Sequence, residues 1–233
     1  MASKRYKQAS TLVDRNKQYA LAEAVGVLKT FPAAKFDETV ELSASLGIDP
    51  KKTDQIVRGT VVLPHGTGRT LRVLVFCKGE KEIDAKKAGA DYVGTADLID
   101  KIQGGWMEFD VAIATPDLMR EVSKLGKVLG PRGLMPSPKA GTVTDDVAKA
   151  ITDVKQGKVE FKMDKLANLH VVIGKRSFEE KKLQENALAL ITAIVRAKPA
   201  ALKGDYVRRV SLSSTMSPGV LVDIEPYLER DEE

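Results

Sequence analysis

The sequence predicts an α+β domain, built from an antiparallel sheet with helices and discontinuous in the chain, that carries an inserted α/β domain. Both ends of the chain contain strands in which polar and apolar residues alternate, whereas the middle alternates almost wholly apolar strands with helices. A chain of 233 residues can form one large or two modest domains. We therefore predict that residues 1–66 and 158–233 form the α+β domain and that residues 67–157 form the inserted one.

The N-terminal part of the discontinuous domain is predicted to contain a helix followed by two strands. Apolar residues recur at helical spacing over residues 19–30, and Phe31-Pro32 ends the run. Over residues 38–46 polar and apolar residues alternate strictly, which predicts a strand with one face in solvent. A second strand over residues 56–63 is stopped by the turn residues that follow it.

The middle of the chain predicts a repeated order of strand and helix. Apolar strands are expected at residues 71–77 and 109–114, with a short strand near Tyr92-Val93 between them. Helices are expected over residues 80–88, 96–102, 117–124 and 145–155. Residues 126–143 are predicted to form a loop. This order indicates a small parallel sheet of the Rossmann-like kind.

The C-terminal part returns to the alternating pattern. Strands are predicted over residues 159–163, 168–173 and 207–215, and a long helix is predicted over residues 178–196. Because the first and last parts of the chain share one pattern, we expect them to form one domain.

Glycines stand at both crossings between the predicted domains. Gly66, Gly68 and Gly157 are candidate hinge residues, because glycine adopts backbone angles that other residues avoid. Ordinary turn glycines are an equally good interpretation.

Positive charge is concentrated outside the inserted domain. The chain has a formal net charge of +5, but residues 67–157 hold 14 Lys and Arg against 13 Asp and Glu. This leaves 23 bases and 19 acids in the remainder, of which the last eleven residues hold one base and six acids. Without that tail the discontinuous domain has 22 bases and 13 acids, an excess of +9, which favours an anionic partner.

The residue types that metal and redox sites need are scarce. Cys77 is the only cysteine, which excludes an intrachain disulfide and a cysteine-based zinc site. His65 and His170 are the only histidines, too few for a histidine cluster. The N-terminus has no apolar signal region and no stretch approaches the length of a membrane span. We expect a cytoplasmic protein without cofactor, metal or membrane contact.

Two glycine-rich segments, residues 65–68 and 126–133, invite comparison with phosphate-binding loops. In the segment 126–133, Lys127 is followed by Val128 and not by the Ser or Thr of a P-loop. A dinucleotide site would need its glycines between the first apolar strand and its helix, and only Gly79 lies there. The sequence also shows no set of convergent titratable groups, so we predict that the protein is not an enzyme.

Polar faces of the alternating strands are candidate surfaces for an RNA backbone. They combine hydroxyl groups with cations, which can reach phosphates and ribose 2′-OH groups. The residues are Thr39, Ser43, Ser45, Asn168, His170, Arg209, Ser211, Ser213 and Thr215, with Lys35 and Arg58 as nearby charges. Ser and Thr are also common on exposed strands through β-propensity alone, so the pattern fits either interpretation.

Several segments can also be compared as strings of residues. They are Lys35-Phe36-Asp37-Glu38-Thr39-Val40-Glu41-Leu42, Leu46-Gly47-Ile48-Asp49-Pro50, Val57 to Gly66, Gly126 to Pro136, and Ser213-Ser214-Thr215-Met216 with Pro218. These segments resemble the bacterial large-subunit ribosomal protein one family, and the likeness runs from about Lys4 to Val222. One departure is Ser217, where the family commonly has Gly.

The resemblance implies a structural constituent of the large ribosomal subunit. Its members bind the rRNA at the base of the mobile lateral stalk beside the tRNA exit site, and the moving stalk accompanies release of deacylated tRNA. Many also repress translation of their own mRNA. The implied RNA contacts are Lys35, Phe36, Thr39, His170, Thr215 and Met216, with Asp164, Lys165, Ser211 and Ser213 as neighbours. We expect a monomer when the protein is free.

Met216 has two interpretations at the end of the last predicted strand. Continuing the alternation from Val210 and Leu212 makes Met216 a core residue that points inward. Alternatively, Pro218 ends the strand and leaves the flexible thioether free to lie against RNA sugars.

Two further alternatives stay open at this point. One is a hinged α/β enzyme that closes on a small anionic ligand between its domains. The other is that the segment 126–138 contacts a protein or tRNA instead of rRNA.

Overall fold

The computed structural model describes residues 3–200, 202 and 204–228. The chain divides into two compact units, with boundaries after Gly68 and after Lys158. The sequence predicts these crossings after residues 66 and 157. We call residues 69–158 the central unit, and the remainder the flanking unit.

The chain contains nine helices and nine strands within the described residues. They are α1 (Lys4–Thr11), α2 (Leu21–Thr30), β1 (Thr39–Leu46), β2 (Arg58–Val62), β3 (Val73–Phe76), α3 (Glu80–Lys87), β4 (Tyr92–Gly94), α4 (Ala96–Gln103), β5 (Val111–Ala114), α5 (Met119–Val122), α6 (Gly126–Leu129), α7 (Val147–Gln156), β6 (Lys158–Lys162), β7 (Asn168–Lys175), α8 (Glu180–Arg196), β8 (Val207–Ser214), β9 (Val220–Val222) and α9 (Glu225–Leu228).

The flanking unit is built on a four-stranded antiparallel sheet in the order β7-β1-β8-β9. Every second residue of β1 is buried, as the alternation predicts, and Leu42 lies opposite Val171 in β7 and Leu212 in β8. The apolar face packs into one core with α2 and α8. The other face therefore stays open to solvent.

β2 and β6 form a separate two-stranded sheet of the flanking unit. The two strands pack tightly at one position, because a Cβ atom on Gly59 would lie 2.6 Å from Cζ of Phe161. Phe161 is itself buried in the flanking core. Glycine at position 59 thus makes room for the aromatic ring.

The central unit has a three-stranded parallel sheet in the order β4-β3-β5. All four residues of β3 are buried, because helices cover the sheet on both faces. Leu74 and Phe76 pack on the side of α4, α5 and α6, whereas Val73 and Val75 pack on the side of α3 and α7. The predicted Rossmann-like arrangement is confirmed.

The structure corrects the prediction of a helix over 117–124 and a loop from 126. Residues Pro116–Leu118 and Ser123–Leu125 are 3-10 turns on either side of α5, and α6 follows directly. The predicted loop therefore begins with a helical turn. Leu125 and Leu129 are fully buried and extend the apolar stripe of the preceding residues, which explains the continuation.

The C-terminal elements β9 and α9 are absent from the sequence prediction. β9 has only three residues and adds to the edge of the sheet beside β8. Its outer side is bridged by Tyr19, whose N–H donates to the Leu221 carbonyl at 3.0 Å. So short a strand gives no measurable period in the sequence.

The three candidate hinge glycines all have left-handed backbone angles. Their φ values are 63° at Gly66, 72° at Gly68 and 107° at Gly157. Gly157 ends α7 as its C-cap. A Cβ atom on Gly68 would lie 2.9 Å from Cγ of Lys175, so both backbone angle and space disfavour larger residues at this position. Their role as hinges stays a prediction.

A buried amide fixes the segment that precedes Gly68. Asn186 on α8 is 0% exposed, accepts from the His65 N–H at 3.0 Å, and donates to the carbonyls of Gly66 at 2.9 Å and Ile173 at 2.8 Å. Both the oxygen and the nitrogen of this side chain are thus paired with backbone groups. Sequence reasoning did not single out Asn186.

We predict that Asn186→Ala lowers the free energy of unfolding of the full chain by about 1–3 kcal/mol, because buried backbone groups lose their partners. Urea titration followed by circular dichroism measures this. Glu185→Ala is the matched control, since Glu185 is exposed and its pairing with His65 should be worth about 1 kcal/mol or less. Equal midpoints for the two variants would contradict the prediction.

Candidate nucleic-acid interface

The strand register brings predicted residues together on the open face of the four-stranded sheet. Ser43 lies opposite His170 in β7 and Ser211 in β8. Ser45 lies opposite Asn168 and Arg209 in the same two strands. We call this surface the polar face, and it consists of Thr39, Glu41, Ser43, Ser45, Asn168, His170, Val172, Arg209, Ser211 and Ser213.

Side chains on the polar face are close enough to bond one another. Nδ1 of His170 lies 3.1 Å from Oγ of Ser43 and 3.1 Å from Oε1 of Glu41. His170 is more than half exposed, so its ring remains accessible from solvent. Glu41, which the sequence analysis did not select, puts a carboxylate in the middle of the face.

One end of the polar face is closed by a contact between Thr39 and Thr215. The Thr39 N–H donates to Oγ1 of Thr215 at 3.0 Å, and the Thr215 N–H donates to the Thr39 carbonyl at 3.0 Å. Nζ of Lys175 donates to Oγ1 of Thr39 at 2.9 Å. Thr215 is exposed, as predicted, but its hydroxyl also holds the two segments together.

Two apolar side chains are exposed at the same end. Phe36 is 55% exposed and Met216 is 52% exposed, and Lys35 is exposed beside Phe36. The interpretation of Met216 as a core residue is therefore wrong. β8 ends at Ser214, and the Ser217 N–H donates to the Ser214 carbonyl at 3.1 Å, so the chain turns before Met216 could enter the core.

Ser217 does not disturb the local backbone. Among the residues that the structure describes, Ala167 is the only one other than glycine with a positive φ, so Ser217 adopts ordinary angles. Its hydroxyl accepts from the Ser214 N–H at 2.9 Å and donates to the Pro218 carbonyl at 3.0 Å. The hydrogen bonds of the serine hydroxyl therefore stabilise this turn, which does not need the backbone angles that only glycine adopts easily.

A buried carboxylate ties together the segments that carry the exposed residues. Glu38 is 1% exposed and accepts from the Ala34 N–H at 3.0 Å, the Met216 N–H at 3.3 Å and the Ser214 hydroxyl. The guanidinium groups of Arg5 and Arg176 lie 3.4 Å and 3.6 Å from its Oε1. Among these donors, Ala34 directly precedes Lys35-Phe36, and Ser214 and Met216 belong to the turn that contains Thr215.

The environment of Glu38 favours its ionised form. Burial is the largest single influence and by itself would raise the pKa, but the hydrogen bonds from Ser214, Met216 and Ala34, together with the charge of Arg176, outweigh it. The pKa of Glu38 is therefore lowered. Sequence reasoning missed this residue, although Glu38 shares the inward parity of Val40 and Leu42, which is an unusual place for an acid.

The opposite end of the polar face begins with a turn built by Asp164. Its Oδ1 accepts from the N–H groups of Leu166 and Asn168, both at 2.8 Å. The hydrogen bond from Asn168 is the largest influence that lowers the pKa of Asp164. Lys165 and Leu166 are left exposed, Leu166 by 78%. Asp164 thus shapes the loop that presents Lys165.

Arg58 is not brought to the polar face. It lies on β2 in the two-stranded sheet, and its Nε donates to Oε1 of Glu160 in β6. Arg58 therefore does not share a sheet with the hydroxyl groups, and its part in RNA binding stays a prediction. Arg58 is close to β1 in the sequence but lies in another sheet. The 3-10 turn Thr53–Gln55 separates the strand of Arg58 from β1.

Comparison with known proteins gives the family. Residues 28–218 match the model of the Ribosomal protein L1p/L10e family. The chain is 56% identical over 227 residues to the large ribosomal subunit protein uL1 of Kosmotoga olearia. The aligned region covers 97% of this chain and 98% of the relative. The chain belongs to the ribosomal protein L1p/L10e family.

Family membership confirms the resemblance read from the sequence. Members of the L1p/L10e family are structural, non-enzymatic ribosomal components that bind rRNA, so this chain is a ribosomal protein and the alternative of a hinged α/β enzyme is wrong. Within the described ranges, no helix is long and apolar enough to cross a membrane. No cluster of metal-binding side chains occurs among those same residues.

The lowered pKa of Glu38 predicts a pH-dependent stability difference between the wild type and Glu38→Gln. A group with a lowered folded-state pKa stabilises the fold above its unfolded pKa, 4.5, and loses that contribution as pH falls through the folded value. At pH 7 we expect Glu38→Gln to be less stable by about 1.5–3 kcal/mol, since bonds to a buried charge are lost. Below pH 4 the difference should shrink.

Urea titrations from pH 3 to pH 7 measure this difference. Glu23→Gln is the matched control, because Glu23 is about half exposed in its pair with Lys17 and should change stability by about 1 kcal/mol or less at any pH. A constant difference between wild type and Glu38→Gln across the range would mean that the ionised form is not the one stabilised.

Proposed function

We propose that the polar face and its exposed end bind the rRNA at the base of the mobile lateral stalk of the large subunit, beside the tRNA exit site. The observation that carries this proposal is the register that aligns hydroxyl groups of β1 and β8 and leaves Phe36 and Met216 exposed at their end. Membership in a family of rRNA-binding proteins supports RNA as the partner.

The chemistry of the face suits RNA more than DNA. Ser43, Ser211 and Ser213 carry compact groups that both donate and accept, as the ribose 2′-OH does. Phe36 and Met216 offer apolar contact to sugars and unstacked bases. Lys35 supplies a positive charge for a phosphate at the same end.

Glu41 divides the face into regions with different expected contacts. A carboxylate repels phosphates but accepts hydrogen bonds from 2′-OH groups and base amino groups. We therefore expect phosphates near the cationic ends, at Lys35 and Lys165, and ribose or base edges across the middle. When Nδ1 of His170 donates to the Glu41 carboxylate, the other nitrogen of the neutral ring can accept a hydrogen bond from a 2′-OH or a base amino group.

We further infer, from the resemblance to the family, that movement of the stalk with this protein assists release of deacylated tRNA, and that the protein represses translation of its own mRNA. Repression would use the same surface if the mRNA contains a structure similar to the rRNA site. The proposed hinges Gly66, Gly68 and Gly157 would then serve movement on the ribosome, in the cytoplasm. The free protein is expected to be a monomer.

We predict that Lys35→Ala reduces the salt dependence of binding to a stalk rRNA fragment. Loss of one phosphate contact should lower the slope of log K against log salt by about 0.7–0.9. Filter binding over a salt series measures it. Lys181→Ala is the matched control, because Lys181 is exposed on α8, which covers the apolar side of the sheet. Equal slopes for the two variants would remove Lys35 from the interface.

We predict that the hydroxyl of Thr215 contributes directly to RNA binding. Thr215→Val should weaken binding of the stalk rRNA fragment by about 1–3 kcal/mol, because its partners in the interface stay unpaired. Thr215→Ser keeps the hydroxyl and should bind within about twofold of wild type, or about 0.4 kcal/mol.

Stability must be measured on the same samples, because the hydroxyl also accepts from the Thr39 N–H. Binding well below the melting temperature separates the two effects. Undiminished affinity of Thr215→Val would assign the hydroxyl to the fold alone. The same pair of variants tested on the mRNA structure would show whether repression uses this surface.

A further inference from the structure

The central unit separates its charges by location. Residues 69–158 contain 15 Lys and Arg and 13 Asp and Glu. Five of these bases and one acid lie within residues 119–144, which leaves ten bases and twelve acids elsewhere in the unit. A unit that is nearly neutral in total therefore has a strongly basic segment.

Three of the five bases form a line along one side of the helical run. α5, the 3-10 turn Ser123–Leu125 and α6 follow one another without a break. At about 100° per residue, the buried residues Leu118, Val122, Leu125 and Leu129 lie within roughly 60° of one another. Arg120, Lys124 and Lys127 lie about 180° to 240° away, on the opposite side. We call these three residues the basic stripe.

The basic stripe is exposed and unpaired. Arg120, Lys124 and Lys127 are all exposed, and none of them forms an ion pair with any residue that the structure describes. By contrast, five of the ten other bases in the unit are ion-paired, including Arg72 with Asp110 and Lys81 with Asp145. Even the acid of the segment, Glu121, lies 3.3 Å from Lys78.

The segment that follows adds further cations on an exposed turn. Pro131, Arg132 and Gly133 are all exposed, and the Gly133 N–H donates to the Gly130 carbonyl at 3.1 Å. Lys139 is exposed beyond it. No large apolar side chain between residues 119 and 144 is among the exposed ones in the described chain.

We propose that the basic stripe, with Arg132, is a second RNA-binding surface, which takes the sugar-phosphate backbone without reading its sequence. A protein partner would need a large apolar or aromatic anchor, and in the described chain the large apolar side chains of this surface are buried or half-buried. Arg120 and Lys127 are seven positions apart, or about 10 Å of helix. That length matches about three phosphates of one strand in a nucleic-acid helix.

The stripe shares no residue with the polar face, so its RNA binding stands or falls separately from the function proposed above. The test uses the full chain, with Arg120, Lys124 and Lys127 all replaced by Gln. The matched control replaces Lys86, Lys87 and Lys101 by Gln, since these are also exposed bases of the central unit and the charge change is the same. The probe is fluorescently labelled polyuridylate, and polyglutamate serves as the acidic polypeptide.

The stripe variant should lower the slope of log K against log salt for polyuridylate by about 2, from three contacts of about 0.7 each. The control variant should change it by less than about half a unit. Equal slopes for the two variants, or an unchanged slope for the stripe variant, would overturn the proposal. An equal loss of polyglutamate binding would also overturn it, in favour of an acidic protein partner.

Binding of the stalk rRNA fragment distinguishes this outcome from failure of the proposed function. If Lys35→Ala weakens that complex while the stripe variant leaves polyuridylate binding intact, the proposal for the polar face is supported and the proposal for the basic stripe is wrong. If Lys35→Ala leaves binding of the stalk rRNA fragment unchanged while the stripe variant lowers the salt slope for polyuridylate, the basic stripe binds RNA and the proposed role of Lys35 in the polar face is wrong. Thermal unfolding of every variant confirms that the charge changes leave the fold intact.

Discussion

The ionised carboxylate of Glu38 is the constraint on which the candidate RNA surface depends. A charge inside a protein is costly unless it is surrounded by donors, and the donors here belong to segments far apart in the chain. They come from Ala34, from Arg176 and from the turn between Ser214 and Met216. Satisfying this one acid fixes the places where Lys35-Phe36 and Thr215-Met216 leave the sheet. Exposed residues with no core contacts of their own thereby acquire a defined position.

Strand register extends that order across the sheet. Side chains alternate between the two faces of a strand. The register that buries Leu42 and Leu212 against α2 and α8 therefore also turns Ser43 and Ser211 outward. A shift of one residue would exchange the two faces and expose the core, so the stability of the apolar side enforces the alignment of the polar side. The candidate interface needs no separate energy to hold its hydroxyl groups in rows.

The sequence was sufficient for the features that repeat within one element. The alternation in β1 and β8, the apolar run of β3 and the two-part division follow from periods long enough to measure. Glu38 shows the limit, because its inward parity was visible but its partners lie up to 178 residues away. The sheet that contains Arg58 could not be predicted for the same reason, since sheet membership is a pairing between distant strands. β9 and α6 were too short to carry a period, and Met216 depended on a turn after Ser214.

Charge is the property for which totals mislead most. The sequence places the excess of positive charge in the flanking unit and gives a near-neutral total for the central unit, yet neutrality is a sum over positions. In the structure many of the bases of that unit are neutralised by neighbouring acids, whereas Arg120, Lys124 and Lys127 face solvent on one side of a helical run. Exposed charges attract phosphates only within about a Debye length, roughly 8 Å at physiological salt. At that range the local arrangement of unpaired cations, and not the total charge of the unit, decides where an RNA backbone is attracted.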